Sequence, residues 1–190
     1  MRLLTERHPA PYRTPYPAPL LPSRPAPSRV AVSADDVGRL LLRATVGLLL
    51  AGHGAQKLFG LFGGEGLAAT GRGFTHLGYP PGNLFAGLAG ASELLGGLGL
   101  AAGLLTPLSA AAVVGVMINA MVVTASNGLW GTNGGIEYPL TIAVVALTVA
   151  AIGAGRLALD RLFRRRDGGL PEMLFALCLG GISAAIVLAI

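Results

Sequence analysis

Residues 37–64 read VGRLLLRATVGLLLAGHGAQKLFGLFGG, an apolar run that closes on His53, Gln56 and Lys57 and then on glycines and phenylalanines. No soluble turn follows it. The part up to Leu58 is long enough, as a helix, to cross a hydrocarbon core of about 30 Å. Four further apolar runs follow at 83–104, 107–126, 136–155 and 171–190. All five are read as helices, because only helices and closed barrels satisfy the backbone in lipid and strand-like alternation is absent. The expected fold is all-α, a polytopic transmembrane helical bundle.

Composition agrees with this reading. Hydrophobic residues make up 53% of the 190-residue chain and charged residues 12%, and the mean hydropathy is +0.65, far from the balance of a soluble domain. A net charge of +5 could suggest nucleic acid, but the basic residues are not interleaved with aromatics and adjoin the apolar runs. Membrane topology explains them better, and no nucleic-acid partner is expected. The single cysteine, Cys178, lies within an apolar run, which excludes an intramolecular disulfide, a CxxC pair and a multi-cysteine metal site. His53 and His76 stand far apart with no HxxH or ExxH spacing, so no metal site is expected. The GxSxG elbow of a serine hydrolase is also absent.

Turn-forming residues separate the runs. Pro80-Pro81-Gly82 precedes the second, Thr106-Pro107 divides the second from the third, and Asn127-Gly128 through Gly134-Gly135 divides the third from the fourth. Pro171 suits the first turn of the fifth. Residues 1–34 carry eight prolines, from Pro9 to Pro27, and read as a disordered cytoplasmic tail, not a signal peptide, because the segment has little apolar surface to offset its ordering entropy. The expected organisation is therefore a tail over 1–34, a membrane domain over 35–167 and an additional helix over 168–190.

Basic residues set the expected orientation. Arg2, Arg7, Arg13, Arg24, Arg29, Arg39, Arg156, Arg161, Arg164, Arg165 and Arg166 fall on one side and only Lys57 and Arg72 on the other. The positive-inside rule then places the N-terminus in the cytoplasm and, with five spans, the C-terminus outside. Arg161, Arg164, Arg165 and Arg166 read as an anchor to the anionic leaflet.

Polar residues inside the spans are the candidate site. Burying an ionisable group there costs about 2.5 to 3.5 kcal/mol even on an insertion scale, so Arg43, Glu93 and Asn119 need partners. Arg43, Gly47, Leu50, Gly54 and Lys57 share one helical face, and the glycines admit a neighbouring helix. From span depths, Arg43 is expected to pair with Glu93 and Lys57 with Glu137 at the outer interface. His53, Gln56, Asn119, Trp130 and Tyr138 complete the candidate chamber, covered by the 59–82 loop. The plainer alternative is that Lys57 snorkels, His53 meets a carbonyl and the phenylalanines anchor in lipid.

Three segments carry a resemblance. LLLRATVGLLLAGHGAQKLFG, GLAGASELLGGLGLAAGLLTPLSAA and EYPLTIAVVALTVAAIGAGRLALD together resemble the DoxX family of small bacterial membrane proteins over about residues 37–162. The most specific pieces are the Arg of the first span with its GxxKLFG ending, E-x-x-G-G followed by G-L-x-T-P, and G-x-G-x-x-x-L-D. Arg43, Lys57, Glu93, Glu137 and Asp160 occupy family positions. Ala154 and Ala158 stand where the family often has Pro and Ser. The resemblance implies a four-helix bundle in the bacterial cytoplasmic membrane, to which residues 171–190 add a fifth span. It also implies association with thiosulfate:quinone oxidoreductase or an oxidative-stress complex.

The sequence thus points to a DoxX-like subunit of a redox-related complex whose polar pocket suits a quinone or a small sulfur compound. No flavin or haem motif identifies a cofactor, so electrons would come from a soluble or membrane redox partner or directly from substrate. Two other classes compete: a small-solute carrier or channel, and a non-catalytic scaffold recruiting soluble redox enzymes through the tail and the arginine cluster. Against a carrier, neither an inverted repeat nor a pair of interrupted spans is visible.

Overall fold

A computed structural model describes residues 32–163 and 168–190. The proline-rich tail and Arg164, Arg165 and Arg166 of the expected anchor lie outside the described residues. Six α-helices follow in order: α1 Ala34–Phe59, α2 Gly66–His76, α3 Gly82–Ala102, α4 Thr106–Thr124, α5 Glu137–Ile152 and α6 Leu170–Ala189. Among the described residues there is no strand. Three helical stretches, Gly82–Ala102, Thr106–Asn127 and Leu170–Ala189, are long and apolar enough to cross a membrane.

Local chemistry fixes the ends of α1. Ser33 caps its start: the Asp36 N–H donates to the Ser33 hydroxyl while the Ser33 N–H donates back to the Asp36 carboxylate, a reciprocal box that satisfies two otherwise free donors. Gly60 ends the helix at φ 70°, a left-handed conformation that costs glycine no Cβ clash.

The α1–α3 contact organises the bundle. A Cβ on Gly47 would lie 2.5 Å from the Gly97 carbonyl, and one on Gly54 would lie 2.6 Å from the Gly90 carbonyl. Two antiparallel helices thus touch backbone to backbone at two levels seven residues apart. The same face continues to Arg43, which reaches the Ala101 carbonyl. On the opposite side α4 packs on α6, α5 and α3, and Gly115 admits α6 at Gly180. Leu50, Leu100, Val113, Val114, Met117, Ile142, Ala146 and Val149 fill the space between α1, α3, α4 and α5.

This register corrects the expected depth of Lys57. The last turn of α1 packs beside Gly90, about 12 Å along α3 from its first residue at 1.5 Å per residue, so Lys57 does not stand at the outer end of the bundle. The expected 59–82 loop is not wholly a loop. It contains α2, which packs along the first turns of α3 where α1 has stopped. The fourth apolar run is helical only to Ile152, and Gly153 at φ 80° turns the chain out of α5.

Candidate functional site

Charged and polar side chains collect at two levels. At the first, Arg43 is 1% exposed and donates to the carbonyls of Ala101 and Leu157. Asp160 lies within electrostatic reach of it. Asp160 accepts from the Leu105 and Thr106 N–H groups at 2.7 and 2.8 Å, while its own N–H donates to the Gly103 carbonyl at 2.8 Å. Leu105 adopts φ 47° there, a strained conformation for a branched residue, and it turns the first free donors of α4 toward the carboxylate. Nearby, the Arg156 N–H donates to Asp36 and Arg39 donates to the Ile152 carbonyl. The Asp36 carboxyl is held below the usual carboxylate range, first by the backbone N–H of Ser33 and then by that of Arg156. Residues 153–160 are thereby clasped between α1 and the α3–α4 turn.

At the second level Glu93, only 5% exposed, accepts from the Lys57 ammonium at 2.6 Å. Neither expected pair forms, and Lys57 takes Glu93 instead. Arg43 does not meet Glu93, because the glycine register puts it opposite Ala101, and Glu137 does not meet Lys57 but accepts from the Gly131 N–H at 2.7 Å. Side-chain direction explains the Lys57 contact. A helical side chain leans toward the N-terminus of its own helix, so Lys57 reaches back along α1 to the level of Glu93.

The Lys57–Glu93 pair borders a cavity of about 570 Å³ between α3 and α4. Leu88, Ala112 and Val116 are typical of its apolar wall, to which Leu179 and Val187 of α6 and Phe74 and Tyr79 from the α2–α3 segment add. Tyr79 meets Phe74 and Phe85 with ring centroids 6.2 and 5.5 Å apart. Ser92 and Asn119 add polar groups to the lining. The Asn119 amide donates to the Gly115 carbonyl at 3.1 Å, but its oxygen is buried without a partner, a vacancy that buried polar atoms rarely leave.

Of the candidate residues, Lys57, Glu93 and Asn119 line this cavity. His53 and Tyr138 stand behind it, ring against ring at 5.6 Å. Gln56 donates to the Phe62 carbonyl and closes the turn after α1. Trp130 is exposed in the loop before α5, and Arg43 belongs to the other level. Arg161 is exposed beside a smaller cavity of about 410 Å³ that Thr106, Asp160 and Glu172 also line. Sequence reasoning missed Phe74, Tyr79, Phe85 and Ser92. The aromatic spacing around Pro80-Pro81 was the available signal for three of them. Among the described residues no three His, Cys, Asp or Glu side chains gather as metal ligands.

Comparison with curated proteins and with solved structures gives no match. A family model does match: residues 38–126, from the start of α1 to just past the end of α4, are similar to the DoxX family.

Proposed function

We propose that this DoxX membrane protein is an integral subunit of a redox-related complex and that its α3–α4 cavity receives a quinone headgroup. The observation that carries the reading is the cavity itself. At about 570 Å³ it falls within the roughly 300–1,000 Å³ of small-molecule sites, and its aliphatic and aromatic walls converge on one charged pair and a few neutral polar side chains, Ser92 and Asn119 among them. Apolar walls fit a ring and its hydrocarbon tail better than a small sulfur oxyanion, for which Lys57 is the sole cation in the lining among the described residues. The Lys57 ammonium retains N–H donors beyond the one given to Glu93, enough to reach a quinone oxygen. The family supports a membrane setting, and the basic residues support a cytoplasmic N-terminus in a bacterial plasma membrane, with α1 and α5 also crossing and α6 added to a four-helix core.

The test is to purify the full chain in mild detergent, extract it with organic solvent and assay the extract for quinone, then titrate the stripped protein with a short-chain quinone. Stoichiometric quinone, with binding weakened about tenfold or more by Ala112→Phe, which fills the cavity, is the expected result. An extract free of quinone together with no saturable binding would overturn the reading. A fusion reporter after Ile190 checks orientation and is expected to lie outside the cytoplasm.

A further inference from the structure

The α3–α4 cavity presents acceptors that only a ligand with a proton to donate can satisfy. Glu93 is nearly buried and lines it. One carboxylate oxygen, Oε2, accepts from the Lys57 ammonium at 2.6 Å. Among the described residues the other, Oε1, has no partner, yet it is not sealed off as the Asn119 Oδ1 is. A carboxylate held this close to an ammonium is ionised and can only accept. Thr124 and Ser183 also line the cavity, and each has given its hydroxyl proton to backbone, Thr124 to the Ala120 carbonyl at 2.9 Å and Ser183 to the Gly180 carbonyl at 2.8 Å. A hydroxyl has a single proton, so both have only lone pairs left to offer.

Donors are present too. Lys57 retains N–H groups beyond the one given to Glu93, and the Asn119 amide retains one beyond that given to the Gly115 carbonyl. Ser92 and Tyr79 carry hydroxyls that turn either way. The two forms of a quinone respond differently to this lining. Both have oxygens that accept, so Lys57 and Asn119 serve either form. Only the reduced form has O–H groups. An oxidised headgroup seated against Glu93 strips water from Oε1 and returns no hydrogen bond, and a site matched to a hydroxyl rejects the analogue that lacks one.

We infer that the cavity is selective for the hydroquinone, with Glu93 Oε1 accepting from its O–H while Lys57 donates to the oxygen of the same group. The inference rests on the reading of the cavity as a quinone site and adds the oxidation state that the site favours. It concerns binding alone, and no proton or electron leaves the ligand. Its consequence is thermodynamic: a site that holds the reduced form more tightly makes the bound quinone easier to reduce.

The full chain in detergent, stripped by solvent extraction, is titrated without oxygen, once with a short-chain quinone and once with its hydroquinone. The hydroquinone is expected to bind about tenfold more tightly or better, which raises the midpoint potential of the bound two-electron couple by about 30 mV for each factor of ten. Glu93→Gln keeps the shape of the side chain. With its amide oxygen left to Lys57 it turns an NH2 group to the cavity, so the ratio of affinities should fall to about one or below. Val116→Ala, a change in the apolar wall, should alter both affinities alike and leave their ratio in place. Equal affinities, tighter binding of the oxidised form, or a ratio that survives Glu93→Gln overturns the inference and leaves the cavity a quinone site. If Glu93→Gln does not fold, the ratio and the potential of the unaltered protein decide. Saturable binding of neither form overturns the proposed function and this inference with it.

Discussion

The two levels of buried charge use the same residue types to opposite ends. At the Arg43 level the charges bond mainly to backbone: Arg43 to two carbonyls, Asp160 to two N–H groups, Asp36 to the Ser33 and Arg156 amides, with Arg39 Nε, Arg43 Nε and the Thr106 hydroxyl buried without partners. At the Glu93 level the pair is side chain to side chain, Lys57 remains 28% exposed, and the oxygen of nearby Asn119 has no partner. Charge bound to backbone holds a chain turn in place, whereas a side-chain pair beside a cavity is free to turn toward a ligand.

The comparison breaks if the clasp proves dispensable. Asp160→Ala strips the acceptor from two helix-end donors and removes the carboxylate within electrostatic reach of Arg43, and leaving buried donors unsatisfied costs about 1 to 3 kcal/mol each. Denaturant unfolding in detergent should register that loss, the largest expected here. A cost under about 1 kcal/mol, the scale of an ordinary hydrogen bond, would mean that the clasp does not hold the bundle.

Gly47→Ala comes next. Its Cβ would press on the Gly97 carbonyl and the Ala101 amide, and overpacking of this kind costs about 1 to 3 kcal/mol. Gly52, on the same helix with nothing within 4 Å of its would-be Cβ, is the control: alanine there should leave stability unchanged or raise it by about 0.4 to 1 kcal/mol. Equal losses at both positions would contradict the glycine register.

A double-mutant cycle between Lys57→Met and Glu93→Gln sharpens the contrast between levels. The coupling should be on the order of 1 kcal/mol, within the range for contacting residues, and smaller than the Asp160 effect because Lys57 can turn to solvent. The corresponding cycle between Arg43→Leu and Glu93→Gln should be additive, since the two occupy different levels. Coupling in that second cycle would restore the pairing expected from span depth.

The smallest effect is a pH dependence. Asp36 precedes the apolar span, and its folded pKa is lowered by the Ser33 and Arg156 N–H groups. Its contribution is therefore fully present above the ordinary carboxylate value and is lost as pH falls toward the lowered folded one. Asp36→Asn should flatten the acid limb of a stability–pH curve and leave neutral stability little changed in slope. An unaltered acid limb would show that the start of α1 is not held by that carboxylate.

Much of this architecture was legible because long apolar runs and their proline and glycine breaks report lipid-crossing helices directly. Helix α2 escaped because GLAATGRGFTH is short, rich in glycine and carries Arg72 and His76. It is held by packing on α3. The partners of Arg43 and Glu93 escaped for a different reason. Depth arithmetic assumes that each helix is centred in the bilayer, whereas the actual register comes from glycines meeting in pairs. Gly47 and Gly54 on α1, and Gly90 and Gly97 on α3, share a seven-residue spacing. Matching them antiparallel would have set Arg43 beside Ala101. The role of Asp160 was not readable from its family position alone, because what it binds is the backbone of residues distant in sequence.

The turn at Gly153 that ends α5 has a consequence for the surrounding lipid. At 1.5 Å per residue the 16 residues of α5 reach only about 24 Å, against a hydrocarbon thickness of about 30 Å. With α5 crossing as proposed above, its flank presents a shorter apolar wall than the α3–α4–α6 flank, whereas the 26 residues of α1 are displaced along the bundle and not shortened. Acyl chains in contact with that flank must compress or splay, at a cost of fractions of a kcal/mol per Å. The protein thus carries a lopsided elastic footprint, and thinner bilayers should favour it.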